Sequence, residues 1–203
     1  MGLTLRINAA AKRVPPWVIY IVGFTWSAWL LWQAANGHLG ADPVKGLERA
    51  LGKLGLQLLV AGLCVTPLRR FLGVNLIKFR RALGLTAVYY IAMHFLTWIA
   101  LDMGLLLSQA LADIFKRPYV TIGMASLALL IPLAITSNNR MVRRLSAARW
   151  QKLHMLTYVA VPLGALHYIW LVKAWPPEPF VYMAAVLGLL ATRLPTIYRR
   201  IAA

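Results

Sequence analysis

Three histidines fall where a polar ring is expensive. His94, His154 and His167 lie within or at the end of long apolar runs, whereas His38 sits in Asn36-Gly37-His38-Leu39-Gly40 and reads as a solvated loop residue. An imidazole placed in hydrocarbon is a functional candidate by default; the plain alternative is a neutral ring hydrogen-bonded between helices. Spacing favours ligation for two of them. His94 lies 13 residues beyond Arg81 and His167 lies 15 beyond Lys152, each cation marking the inner end of its run. If both runs are helices crossing in the same direction, the two rings differ in depth by only ~3 Å. Two imidazoles at one level on different helices can fill both axial positions of a haem iron. No CxxCH is present to attach a porphyrin covalently, so the expected cofactor is haem b. His94 is eight residues short of Asp102 and His167 six short of Lys173, which puts this haem in the outer half of the membrane.

His154 is the candidate for a second, inner haem. It precedes His167 by 13 residues, ~20 Å along a helix axis. The matching level of the other histidine-bearing run carries Arg81, Ala82 and Leu83, so no partner histidine faces it. Thirteen steps at ~100° per residue also leave His154 and His167 about 140° out of phase on an ideal helix. Pro162 between them cannot donate to the Tyr158 carbonyl and can change that phase. Other site chemistries lack their signatures: there is no HExxH, no Ser-His-Asp motif, and no Asp or Glu deep in the apolar runs.

Elements that position these residues must be transmembrane helices. Of 203 residues, 61% are hydrophobic and 13% charged, with mean hydropathy +0.67, and the apolar residues come in long blocks. A crossing helix needs about 20 residues. The blocks predict spans at Trp17–Ala35, Gly46–Leu68, Ala82–Leu101, Pro118–Thr136 and Leu153–Val172, with a short sixth from Pro179 to about residue 195. The fold class is therefore all-α, a polytopic six-helix bundle forming a single transmembrane domain over residues 1–203. The first block is too long for a cleavable signal and no small-residue cleavage site follows it. Asp42-Pro43 reads as a helix N-cap followed by proline at the first helical position.

Charge orients the bundle. The loops assigned to one side carry 16 basic residues and no acidic one; the other side carries six basic residues and all five acids. Both termini are therefore expected on the cytoplasmic side of the membrane. The same distribution accounts for the net charge of +17 without nucleic acid. Trp17, Trp98, Trp150, Trp170 and Trp175 fit interfacial belts, and the single cysteine, Cys64, reads as a buried small residue.

Three stretches carry a family resemblance: Leu39-Gly-Ala-Asp-Pro-Val-Lys45, Lys116-Arg-Pro-Tyr-Val-Thr-Ile-Gly123, and Arg149-Trp-Gln-Lys-Leu-His-Met-Leu-Thr-Tyr158 continuing to His167-Tyr-Ile-Trp-Leu-Val-Lys173. Together they resemble the MsrQ (YedZ) family, haem-binding membrane subunits of bacterial periplasmic methionine sulfoxide reductase systems. The resemblance runs from about residue 17 to residue 200. It implies a ferric-reductase-like transmembrane fold. It also implies transfer of electrons from membrane quinone, or from a cytosolic flavin reductase, to a periplasmic molybdopterin-containing reductase subunit in a heterodimer. The family association extends to FMN, for which the sequence carries no motif. Carried over by residue, His94 and His167 match the haem-ligating pair and His154 the further histidine; the third span departs from a two-haem pattern by offering one histidine. The rival reading from the residues alone is a proton or metal-ion transporter that uses the same histidines as a relay.

Overall fold

The computed structural model describes residues 2–172 and 174–194, and every regular element among them is helical. Lys173, Arg199 and Arg200, which enter the charge argument, and the last residue of the expected sixth span lie outside the described residues. Ten α-helices follow in order: α1 Leu3–Arg13, α2 Trp17–Ala35, α3 Pro43–Leu72, α4 Arg80–Leu96, α5 Leu107–Lys116, α6 Pro118–Ile135, α7 Asn139–Leu145, α8 Ala147–Leu153, α9 Thr157–Leu171 and α10 Pro177–Ala191. Among the described residues, four helical runs are long and apolar enough to cross a membrane: Trp17–Ala35, Pro43–Leu72, Ile77–Asp102 and Pro118–Ile135. These coincide with the first four expected spans. The fifth and sixth correspond to α9 and α10, which have 15 residues each.

The boundaries differ from expectation for identifiable reasons. Helix α3 opens three residues early because Asp42 caps it, its side chain accepting from the Lys45 N–H at 3.0 Å, with Pro43 at the first helical position. Glu48, Arg49 and Lys53 lie in the opening turns of α3, within the span expected for it. The fifth run, expected from Leu153, opens with a 3₁₀ turn at His154–Leu156 between α8 and α9, so ideal-helix phase does not carry from His154 to His167. Helices α1, α5 and α7 form in segments that the sequence reading left as loops.

The chain divides into two compact units, 1–110 and 111–203, with α5 running across the boundary. In the first, α3 packs along α4, and α2 covers both. Its core is a cluster of Leu30, Leu47, Leu51 and Tyr90. Polar atoms inside are satisfied between helices: the Tyr90 hydroxyl donates to the Gly23 carbonyl at 2.7 Å, and Ser27 Oγ meets the Tyr89 hydroxyl at 2.7 Å. Gly23 has to be a glycine, since a Cβ there would stand 2.6 Å from the Thr86 methyl. The loop after α3 turns at Gly73 (φ +67°), and Asn8 of α1 grips it by donating to the Gly73 carbonyl and accepting from the Asn75 N–H.

In the second unit α9 lies against α6 and α10. Most of the buried residues in its helix contacts are small or compact, among them Ser126, Leu130 and Leu133 from α6, Ala160, Val161 and Ala165 from α9, and Val186 from α10. Small residues let helix backbones approach where lipid supplies no hydrophobic drive between helices. Large apolar side chains point outward instead, among them Phe24, Trp26 and Trp29 on α2 and Ile131 and Ile135 on α6. Cys64 is half-buried rather than enclosed. Replacing Tyr90 by Phe removes one buried interhelical hydrogen bond while keeping the ring. It is expected to cost about 1 kcal/mol, read as a lower thermal midpoint in detergent.

Candidate functional site

His94 lies on the last turn of α4, just before a π-helical segment at Thr97–Asp102. Its ring leans on α3. Nδ1 is 2.8 Å from the backbone carbonyl oxygen of Glu48, and the ring edge rests over Gly52. A carbonyl oxygen can only accept, so Nδ1 carries the proton and donates. The lone pair is then on Nε2, the nitrogen that can bind a metal. The first turn of α3 is tied down on the same side: Lys45 pairs with Asp102 at the end of the π segment, and its Nζ lies 3.7 Å from Glu48 Oε2. The carbonyl that orients His94 thus belongs to a helix end held by a cap and an ion-pair cluster.

His167 repeats this arrangement in the second unit. It sits on α9, and its Nδ1 donates to the Tyr119 carbonyl on α6 at 2.7 Å, with its ring over Gly123. The start of α6 is fixed by Pro118 at the first helical position and by the bond from the Thr121 hydroxyl to the Ile114 carbonyl. Arg117 adds an ion pair to Asp113 at 3.2 Å and donates to the Tyr119 hydroxyl at 3.2 Å. Both histidines are half-buried.

His154 is built differently. Its Nε2 lies 3.1 Å from the Thr136 hydroxyl oxygen, and that hydroxyl donates its own proton to the Pro132 carbonyl at 2.7 Å. The Thr136 oxygen therefore accepts from His154, so here the proton is on Nε2. Trp150 stacks on the ring at 3.8 Å and donates from Nε1 to the Thr136 carbonyl at 2.8 Å. Trp150 and His154 together close the C-terminal end of α6, a more specific job for Trp150 than a place in an aromatic belt. His38 is exposed, its ring edge-on to Trp32 at 5.5 Å.

Sequence reasoning did not find the carbonyls that orient the rings, because a backbone acceptor has no residue type. The legible trace would have been a glycine four residues after each, Gly52 after Glu48 and Gly123 after Tyr119. Arg193, read as a cytoplasmic loop cation, is buried with its guanidinium 5.6 Å from the centre of the Tyr158 ring.

Residues 50–165 match the family described as ferric reductase like transmembrane component. The chain is also 50% identical over 184 residues to proteins of Brucella ovis, Brucella canis and Brucella suis named protein-methionine-sulfoxide reductase heme-binding subunit MsrQ. The match covers 91% of this chain and 83% of each relative. The chain belongs to the MsrQ family. It is thus a ferric-reductase-like membrane protein, in keeping with its several apolar helices. The fit of this donor set to a haem rests on the two imidazoles with Nδ1–H engaged, since neutral histidine bound through one nitrogen and donating from the other is the usual form of an axial ligand.

Thr136→Val deletes the hydroxyl that meets His154 while keeping a branched side chain. It is expected to lower stability by about 1 kcal/mol and to change the ¹⁵N signature of the His154 ring, leaving those of His94 and His167 in place.

Proposed function

We propose that this protein is a haem b-containing electron-transfer subunit, with His94 and His167 as axial ligands, that feeds a periplasmic methionine sulfoxide reductase. One observation carries the reading: each of these rings donates Nδ1–H to a helix carbonyl and so has the Nε2 lone pair that iron requires. Assigning both to one iron rests on their matched distance from the inner boundary of their helices. When bound, the haem supplies a one-electron carrier. The chain's own part is to hold the ligand rings in one tautomer and to keep the carrier within apolar helices.

Six spans with both termini in the cytoplasm follow from the charge distribution, with α9 and α10 completing the four longer helices. In that topology an outer haem delivers electrons outward, to a partner docked on the outer loops around Asp42, Asp102–Arg117 and Lys173–Glu178. Quinol dissolved in the bilayer can reach such a haem directly. A cytosolic flavin donor lies across a core of about 30 Å and needs a stepping stone, either an FMN or a second haem. The molybdopterin-containing partner and the FMN come from the family resemblance.

His154 is the candidate ligand of that second haem, and ligation through Nε2 would replace its bond to Thr136. A transporter using the same histidines predicts a colourless protein. Purified wild type is expected to show the visible spectrum of low-spin haem b. His94→Ala and His167→Ala should each abolish the bis-histidine signal; a folded, colourless wild type overturns the proposal. His154→Ala lowers the haem per chain if it holds a second haem, and leaves it unchanged if the ring only closes α6.

A further inference from the structure

An α-helix carbonyl at position i already accepts the N–H of residue i+4, and the side chain of residue i+4 points back toward the N-terminus over that same turn. The second lone pair of the carbonyl is therefore partly screened wherever residue i+4 has a Cβ. Glu48 and Gly52 stand in this relation on α3, and Tyr119 and Gly123 stand in it on α6. In both places an imidazole from the neighbouring helix occupies the space that the missing Cβ leaves. A Cβ on Gly52 would lie 3.0, 3.2 and 3.4 Å from Nδ1, Cε1 and Cγ of His94. One on Gly123 would lie 2.9, 3.0 and 3.2 Å from the same atoms of His167. The rings could not stay 2.8 and 2.7 Å from their carbonyls beside an alanine without shifting.

We propose that Gly52 and Gly123 are positioning residues for the two histidines. By leaving the Glu48 and Tyr119 carbonyls open to a second donor, they set the tautomer, orientation and donor strength of His94 and His167. This inference deepens the haem reading and rests on it for its redox consequence. An Nδ1–H bonded to a carbonyl makes Nε2 a stronger donor, which favours ferric iron and holds the reduction potential down. The same device joins α6 to α9 in the opposite sense: Ser126 Oγ donates to the Ala160 carbonyl at 2.8 Å, beside Gly164 four residues on. There the Cβ position is 3.4 Å from Oγ, an ordinary contact, so that pair bears on packing and not on the ligands.

The test compares Gly52→Ala and Gly123→Ala with Gly62→Ala, whose Cβ would meet nothing within 4 Å. In the purified haem-loaded protein, transfer of haem to excess apomyoglobin is expected to quicken about tenfold or more in the first two variants. Their midpoint potentials should rise, Gly123→Ala showing the larger change because its contacts are tighter. Gly62→Ala should move neither quantity. Haem loss and potential equal to those of Gly62→Ala would overturn the proposal, as would a lower melting temperature with an unchanged potential. Ring ¹⁵N NMR of wild-type protein freed of haem needs no variant. It is expected to show the Nδ1–H form at His94 and His167, and the Nε2–H form at either residue would overturn the proposal. If wild type never binds haem but shows Nδ1–H at both positions, the haem reading fails while the positioning role of the glycines stands.

Discussion

A histidine in an apolar helix bundle brings a polar N–H that must be satisfied without water, and at His94 and His167 this chain satisfies it with main-chain carbonyls already committed to a helix. The carbonyl oxygen has a second lone pair, so the helix keeps its own hydrogen bond while accepting the imidazole. Side-chain acceptors would serve less well in this medium. A carboxylate would bring a charge into hydrocarbon, and a hydroxyl can reverse its direction and with it the tautomer. A carbonyl can only accept. The proton on Nδ1 of His94 and of His167 is therefore fixed by the backbone, and the chemistry available at Nε2 follows from it.

That constraint reaches outward into the packing. An imidazole can contact a helix main chain only where the two helices run close, and the helix pairs that meet at these rings are lined with small residues. Gly52 and Gly55 of α3 face α4, where Ala87 is fully buried; Gly123 and Ser126 of α6 face Ala160 and Gly164 of α9. The starts of α3 and α6 must also be fixed, because the accepting carbonyls lie within two turns of them. Each begins with a proline and is braced by short-range polar contacts: the Asp42 cap and the Lys45 ion pairs for α3, the Thr121 and Arg117 bonds for α6. The charged residues at these helix starts thus do more than mark topology.

What the sequence made legible was side-chain identity and spacing. His94, His154 and His167 could be singled out because an ionisable ring in an apolar run is anomalous, and Asp42-Pro43 announced a helix start because cap and first-turn preferences are local. The four longer spans were equally visible as blocks of apolar residues. Illegible were features that depend on another helix: the Glu48 and Tyr119 carbonyls, the Thr136 partner of His154, and the burial of Arg193 against Tyr158. The break in the fifth run was missed for a related reason. Apolar periodicity cannot distinguish one helix from two joined by a 3₁₀ turn, so the 140° phase estimate assumed a continuity that the backbone does not keep.

The contrast between His154 and the other two histidines shows why residue type and depth alone do not define a site. All three are half-buried rings on helices that follow cytoplasm-assigned loops, yet two hold the proton on Nδ1 and one on Nε2. The difference is set by the acceptor. Glu48 and Tyr119 offer carbonyls in the opening turns of α3 and α6, made reachable by glycine, whereas Thr136 offers a hydroxyl oxygen at a helix C-terminus, where unpaired carbonyls are being closed off. The Nδ1 bonds of His94 and His167 are contacts that ligation at Nε2 would leave intact. Ligation of His154 through Nε2 would replace its contact with Thr136, and α6 would lose part of its C-terminal closure with it; ligation through Nδ1 would leave that contact in place. An inner haem held through Nε2 would therefore disturb the C-terminal end of α6, whereas an outer haem held through Nε2 of His94 and His167 would keep their contacts to the opening turns of α3 and α6.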